Sequence, residues 1–328
     1  MIESTSELIK SFQKNRIETT QLEQIQRSLL EETTPSLTYL ILTVASCMIA
    51  TFGLITNSAA VIIGAMVIAP LMLPIRGLAY GALTGNVLLF RRGLIAIIFG
   101  TLLSIGLAYS LELLVGIYTF ETEVLSRSKP TLLDLGIAVT AGGIGGYAKV
   151  KPDISSTLVG TAIAVALMPP ICVIGLGLAQ TNWSLSQGAA ILYLTNLLGI
   201  TLACMLTFLI MGYSPIKRAG IALFWTLLLT GILLLPLSVS FAQLVEQTNL
   251  EASLKDALLT KTIIFGRLEL LRTDINWLTN PPQARFVVRT KVPITPKQVG
   301  RLEKFVQKEM GQPFTLIFEI SQVQEVRR

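Results

Sequence analysis

The chain contains no histidine, which removes the commonest zinc ligand sets and imidazole acid–base chemistry. Its three cysteines, Cys47, Cys172 and Cys204, each stand within an apolar stretch, so buried apolar thiols are expected rather than a disulfide framework. Charge is scarce: Asp, Glu, Lys and Arg make up 14% of the residues, against roughly 25% in an ordinary soluble domain. That is too few to cover a soluble surface of this size. No nucleophile–base pair or metal cluster stands out. The run Ala141-Gly-Gly-Ile-Gly-Gly-Tyr-Ala-Lys149 lacks the Gly-Lys-Ser/Thr ending of a phosphate loop and lies in an apolar stretch, where small residues serve close helix contact. The first 34 residues lack the apolar centre of a secretory signal. The sequence therefore predicts no enzyme, no cofactor and no metal.

What it has instead is apolar length. Hydrophobic residues reach 52%, and from Leu37 to Gln243 charges fall mostly between apolar runs. A helical crossing needs about 20 apolar residues. Segments near 37–55, 58–75, 93–117, 132–148, 156–178, 188–211 and 219–241 meet this need, predicting an α-helical polytopic membrane protein with seven transmembrane helices. Glu112 is the one acidic residue well inside a segment, and its place near the end of the third predicts an interfacial position. With the N-terminus in the cytoplasm of a prokaryotic cell, the basic residues of the short loops fall overwhelmingly inside. Arg76, Arg91, Arg92, Lys149, Lys151, Lys217 and Arg218 are inner; Arg127 and Lys129 are outer. The net charge of +6 is explained by these loops without nucleic acid. Seven crossings of the inner membrane would put the C-terminal part on the opposite side.

The remaining domains flank this region. Residues 1–36 read as an amphipathic N-terminal helical region, with Leu22, Ile25 and Leu29 as a narrow stripe suited to packing on the membrane domain or a partner. Residues 244–328 read as a small soluble α/β domain of β-β-α-β order. Leu250, Leu254 and Leu258 mark a helix, Thr262–Leu271 and Ala284–Val292 alternate as strands, Thr295-Pro296 opens a further helix, and Phe314–Val323 closes as a strand.

The central region repeats. A shift of 96 positions lays Gly64–Ile75 on Gly160–Ile171, with Gly64/Gly160, Leu71/Leu167, Met72/Met168, Pro74/Pro170 and Ile75/Ile171 identical, then Gly81/Gly177 and Asn86/Asn182. Repeat 1 spans 37–117, a linker 118–131, and repeat 2 132–212, followed by the seventh helix at 213–243. Three crossings per repeat force the second copy to insert inverted, an arrangement found in many transporters.

Both repeats carry a Leu-Met-x-Pro-Ile break. Proline frees a backbone carbonyl and removes a donor, and in lipid such groups must be satisfied by protein or water. Paired breaks can therefore bind an ion or polar solute through helix ends alone; kinks for packing are the simpler alternative. The expected central lining is Pro70, Met72, Pro74, Met168, Pro169 and Pro170. Asn57 and Ser58 open the second segment and Asp153 and Ser156 the fifth; they are helix caps that also suit the mouths of a pathway. Arg76 follows the first break and suits an anion or lipid headgroups. Asn196 suits a hydrogen bond between helices.

The stretch Asn57-Ser-Ala-Ala-Val-Ile-Ile-Gly-Ala-Met-Val-Ile-Ala-Pro-Leu-Met-Leu-Pro-Ile75 resembles the signature of the prokaryotic "uncharacterised hydrophobic domain" proteins, the domain-of-unknown-function group numbered 389. Ile163–Cys172 and Leu194-Thr-Asn-Leu-Leu198 resemble that family's second block, and the resemblance covers roughly residues 40–212. It implies a polytopic membrane protein and brings no catalytic residues. The expected function is a channel or carrier for a small ion or polar solute, embedded in the lipid bilayer, with a homo-oligomer possible. The alternative is a non-transporting scaffold or sensor whose C-terminal domain binds a partner.

Overall fold

A computed structural model describes residues 19–116, 120–151, 167–213, 216–261, 269–276, 281–290 and 295–322. The chain divides into two compact units, residues 1–241 and 242–328.

In the first unit the described elements are all helical. Helix α1 (Thr19–Thr33) is followed by α2 (Leu37–Ile55), α3 (Ala59–Ile68), α4 (Met72–Thr84), α5 (Val87–Val115), the single turn α6 (Thr122–Ser126), α7 (Leu132–Val150), α8 (Met168–Ala179), α9 (Trp183–Ile210) and α10 (Ile216–Lys261), whose residues from Ala242 on belong to the second unit. Among the described helices, α2, α5, α9 and the Gly220–Ala242 part of α10 are long and apolar enough to cross a membrane, and the bent pair α3–α4 makes a fifth if it counts as one span. The apolar helices carry many exposed large side chains, among them Leu102 on α5 and Ile221 and Leu235 on α10. Such continuous apolar surface is tolerated where lipid replaces water. The fold is thus that of an integral membrane protein.

The helix boundaries follow local chemistry. Ser36 caps α2, its Oγ accepting the Tyr39 N–H at 3.1 Å. Thr131 and Asp134 form a capping box at the start of α7. Helices α7 and α9 meet through the glycine run: a Cβ on Gly142 would lie 2.5 Å from the Ile200 carbonyl oxygen. The Cys204 thiol donates to the Gly142 carbonyl at 3.1 Å across the same contact. Close approach of backbones is what small residues contribute in the absence of a hydrophobic drive between helices.

Helix α1 is folded onto the bundle. Leu29 is fully buried, Leu22, Ile25 and Leu30 pack on the same apolar core, and a Cβ on Gly77 of α4 would overlap the Thr33 side chain. The stripe expected at Leu22, Ile25 and Leu29 is occupied by the protein's own helices.

The second unit contains a three-stranded sheet of order β1-β2-β3, with β1 (Glu269–Asn276), β2 (Gln283–Thr290) and β3 (Thr315–Gln322). Strands β1 and β2 pair antiparallel, with an irregularity between Leu270 and Arg272, while β2 and β3 pair parallel. The parallel connection requires a crossover, supplied by α11 (Pro296–Met310). Ala284, Phe286 and Val288 alternate inward on β2 and are covered by Leu302 and Val306 of α11, with Leu254, Phe314 and Leu316 completing the core. Two details differ from expectation. The first strand runs on to Asn276, past the expected end at Leu271, with residues 262–268 outside the described residues, and Leu250 and Leu254 lie in α10, the helix of the last apolar segment.

Candidate functional site

The first break falls where Pro70 predicts it. Helix α3 ends at Ile68, Ala69 turns to extended backbone, and α4 begins at Met72, bent by 52° from α3. Pro70 cannot donate to the ladder of α3, and Pro74 sits in the first turn of α4, where a missing donor costs little. At the second motif α8 opens on Met168-Pro169-Pro170, with prolines again in the first turn, and residues 152–166 before it lie outside the described residues. Met72, Pro74, Met168, Pro169 and Pro170 are all buried. Leu71, Met72 and Ile75 share one apolar cluster with Leu167, Met168 and Ile171. The fold therefore collects both Leu-Met-x-Pro-Ile motifs into a single core.

The turns after the two breaks agree in detail. After α4, Gly85 takes a left-handed φ of +72°; after α8, Thr181, 96 positions on, takes φ +54°. Asn86 then caps α5 through its Oδ1, which accepts the Leu89 N–H at 3.1 Å, and Asn182 caps α9 by accepting the Leu185 N–H at 3.1 Å. The Asn86 N–H donates to Gly81 O at 2.9 Å and the Asn182 N–H to Gly177 O at 2.8 Å. Gly81 and Gly177 each leave no room for a side chain against the following helix. The matched Gly and Asn residues thus perform the same work at the same offset.

Arg76 is not at the lipid surface. It is 8% exposed, and its Nε lies 4.0 Å from Glu32 Oε2 on α1 with no hydrogen-bond partner. The other Glu32 oxygen, Oε1, accepts from Lys149 Nζ at 2.5 Å, and Lys149 also donates to Ser28 Oγ at 2.5 Å. One carboxylate therefore stands between a cation on α4 and a cation on α7. Arg92 adds a weaker tie, donating to Thr34 Oγ1 at 3.3 Å. Sequence reasoning missed Glu32 because it counted residues 19–33 as peripheral. No signal singled it out, since Glu23 and Glu31 are acids of the same helix.

At the other end of these helices Asn57 takes a left-handed φ of +50°. Its Oδ1 accepts the Glu123 N–H at 3.0 Å and the Thr122 hydroxyl at 3.2 Å. It anchors the start of α6 rather than capping α3. Ser58 occupies the cap position of α3 but makes no side-chain capping bond; its N–H donates to Gly53 O at 2.8 Å. Asn196 is buried within α9. Asp153 and Ser156 lie outside the described residues.

Glu112, expected near the end of the third segment, stands in the last turn of α5 and is covered by protein. It is 3% exposed, and its Oε1 accepts from Gln180 Nε2 at 2.6 Å while Oε2 has no partner. A carboxyl buried with one oxygen unmatched is costly, and sequence spacing gave no sign that α8 would end beside it. Among the described residues no group of three or more Cys, Asp or Glu is placed to hold a metal ion.

Comparison with known proteins places these features. An uncharacterized protein of Methanocaldococcus jannaschii is 29% identical over 178 residues, which is 54% of this chain and 55% of that protein. The match thus spans about half of that relative's length. No solved structure matches the chain. The stretch that contains the first break, both matched turns, Arg76, Lys149 and Asn196 is the stretch that a family match covers: residues 66–202 match the model of the family described as a domain of unknown function, DUF389.

Proposed function

We propose that the protein is a membrane transport protein, a channel or carrier for a small ion or polar solute, with its pathway at the broken helices of two inverted three-helix repeats. The observation that carries this reading is the gathering of both Leu-Met-x-Pro-Ile motifs into one buried cluster, through Leu71, Met72, Ile75, Leu167, Met168 and Ile171; backbone groups freed by a proline there have only protein or a passing solute to satisfy them. The equivalent turns at Gly85–Asn86 and Thr181–Asn182 support the repeat.

Seven crossings require α7, 19 residues long, and the segment ending in α8 to span as well. The long-range pairs support that count. Glu32, Arg76 and Lys149 meet, as inner loops should. So do Asn57 and Glu123, and Glu112 and Gln180, as outer ends should. The same count puts the N-terminus in the cytoplasm of a prokaryotic cell and the C-terminal unit on the other side of the inner membrane. The pathway needs no enzyme chemistry and no cofactor.

Burial of Met72, Pro74, Met168, Pro169 and Pro170 supports a gated pathway over an open pore, since passage requires the two halves to part. The same burial favours the second reading, a non-transporting scaffold or sensor whose C-terminal domain binds a partner. The deciding experiment is flux through liposomes containing the purified protein, with potassium, chloride and phosphate as probes. Transport predicts protein-dependent flux that falls in both Pro74→Ala and Pro170→Ala while each variant keeps its thermal stability. Absence of flux for every probe, with variants unlike the wild type only in stability, overturns it.

A further inference from the structure

We propose that Cys47 and Cys172 form an oxidative modification site, a dithiol that a small peroxide closes into a disulfide joining the two halves of the membrane unit. Cys47 lies in α2 and Cys172 two residues after the Pro169-Pro170 opening of α8. Their sulfurs are 3.7 Å apart, and 125 positions of chain separate them. Both residues are fully buried. The third cysteine is elsewhere: Cys204 contacts the Gly142 carbonyl in the α7–α9 interface.

The site is built around the pair. The Cys47 thiol donates to the Ser104 carbonyl at 3.2 Å, and the Thr51 hydroxyl lies 4.0 Å from its sulfur. The Cys172 thiol faces the Cys47 carbonyl at 3.8 Å. These contacts hold the sulfurs toward each other on two separate helices. A disulfide bond is about 2.05 Å long, so closure needs an approach of about 1.7 Å, within reach of side-chain rotation and a small helix shift.

The chemistry balances with hydrogen peroxide as the oxidant. One thiol is oxidised to a sulfenic acid, and the peroxide O–O bond breaks to release one water. The second sulfur then attacks the sulfenic sulfur, forming the S–S bond and releasing a second water. Two thiols lose two electrons and two protons, and one peroxide becomes two waters. Both thiols are fully buried, which excludes a bulky disulfide reagent and leaves a small neutral peroxide as the class of oxidant.

The position gives the bond a consequence. Cys172 is the counterpart, 96 positions on, of Arg76, and it follows the break directly. A disulfide to α2 fixes the broken helix of one half to the first helix of the other. On the transport reading, on which this last step rests, the bond stops the two halves from parting.

The experiment treats protein-containing membranes with hydrogen peroxide, then denatures and counts free thiols by maleimide labelling and mass spectrometry. The expected count falls from three to one, with Cys204 the thiol left, a Cys47–Cys172 peptide pair present, and full recovery after dithiothreitol. Cys204→Ser keeps the cross-link, while Cys47→Ser leaves Cys172 free or overoxidised. A peroxide-treated wild type that retains three thiols, or that forms only Cys204-containing or intermolecular disulfides, overturns the proposal. Flux is then read in the same membranes. Loss on oxidation and return on reduction extends the site to regulation, and unchanged flux in fully cross-linked protein removes that step. Absence of flux in the untreated protein sinks the transport reading while the thiol count still judges the dithiol.

Discussion

Replacing Glu32 by alanine should loosen the membrane unit by removing the carboxylate that stands between α4 and α7. The carboxylate touches two cations that are themselves poorly solvated, since the Lys149 and Arg76 side chains are 11% and 10% exposed. Removing one partner from a buried ion pair costs about 3–5 kcal/mol, because the other charge is left without compensation. Glu32 is 22% exposed, so some solvent can replace it, and about 2–4 kcal/mol is the fitting range. For a unit of this size each kcal/mol moves the midpoint by about 2–4 °C, which gives a fall of about 5–15 °C. The two cations are not equal. Lys149 has a hydrogen-bonded contact at 2.5 Å, whereas Arg76 stands 4.0 Å away without one, so the coupling to Lys149 should dominate. The assay is thermal unfolding in detergent for Glu32→Ala, Lys149→Ala, Arg76→Ala and the paired variants, read as double-mutant cycles. A coupling of at least ~1 kcal/mol between Glu32 and Lys149 is expected, with little loss in 0.5 M salt because buried pairs are weakly screened. Glu32→Ala within 2 °C of wild type, or a Glu32–Lys149 coupling near zero, refutes the bridging role.

The α7–α9 contact gives a sharper steric contrast. Gly142→Ala must push a Cβ to 2.5 Å from the Ile200 carbonyl, while at Gly143 the nearest atom would be Thr207 Oγ1 at 3.9 Å. Gly142→Ala should cost about 1–3 kcal/mol and Gly143→Ala close to nothing, as measured by the melting midpoint. The matched turns yield opposite signs. Thr181 is β-branched at φ +54°, a strained place for such a residue, so Thr181→Gly should raise stability by about 0.5–1 kcal/mol. Gly85→Ala at φ +72° should lower it by about 1 kcal/mol; the same sign at both positions would contradict the equivalence of the turns.

Much of the architecture was legible in the chain because lipid imposes a simple rule. Backbone groups must be satisfied within the segment, so each long apolar run reads as a helix, and the first break appears at Pro70 where the ladder cannot continue. Asn86 and Asn182 and the glycines at 81 and 177 were visible as identities at one offset, and the structure shows what they do: both asparagines cap the following helix and both glycines let it approach. In the second unit the alternation of Ala284, Phe286 and Val288 sufficed to define a strand with one buried face. Its first strand runs on to Asn276, past the expected end at Leu271, because pairing with β2, not period, decides how far a strand extends.

The site divides along the same line. The proline motifs carried their own signal, since a donor lost from a helix is a local fact. The partners of Arg76, Glu112 and Cys47 carried none, being 44, 68 and 125 positions away. The sequence by itself determined that this is a chain of apolar helices, with one helix pair broken at Pro70 and the same Leu-Met-x-Pro-Ile motif opening α8. Only the tertiary structure decided that Arg76 is buried beside Glu32 rather than facing lipid, and that Glu112 meets Gln180. It alone set two cysteines side by side. Helix periodicity and propensity act over a turn or two, whereas charge compensation and sulfur contact depend on which helices pack together, and in an apolar bundle that choice is made by shape.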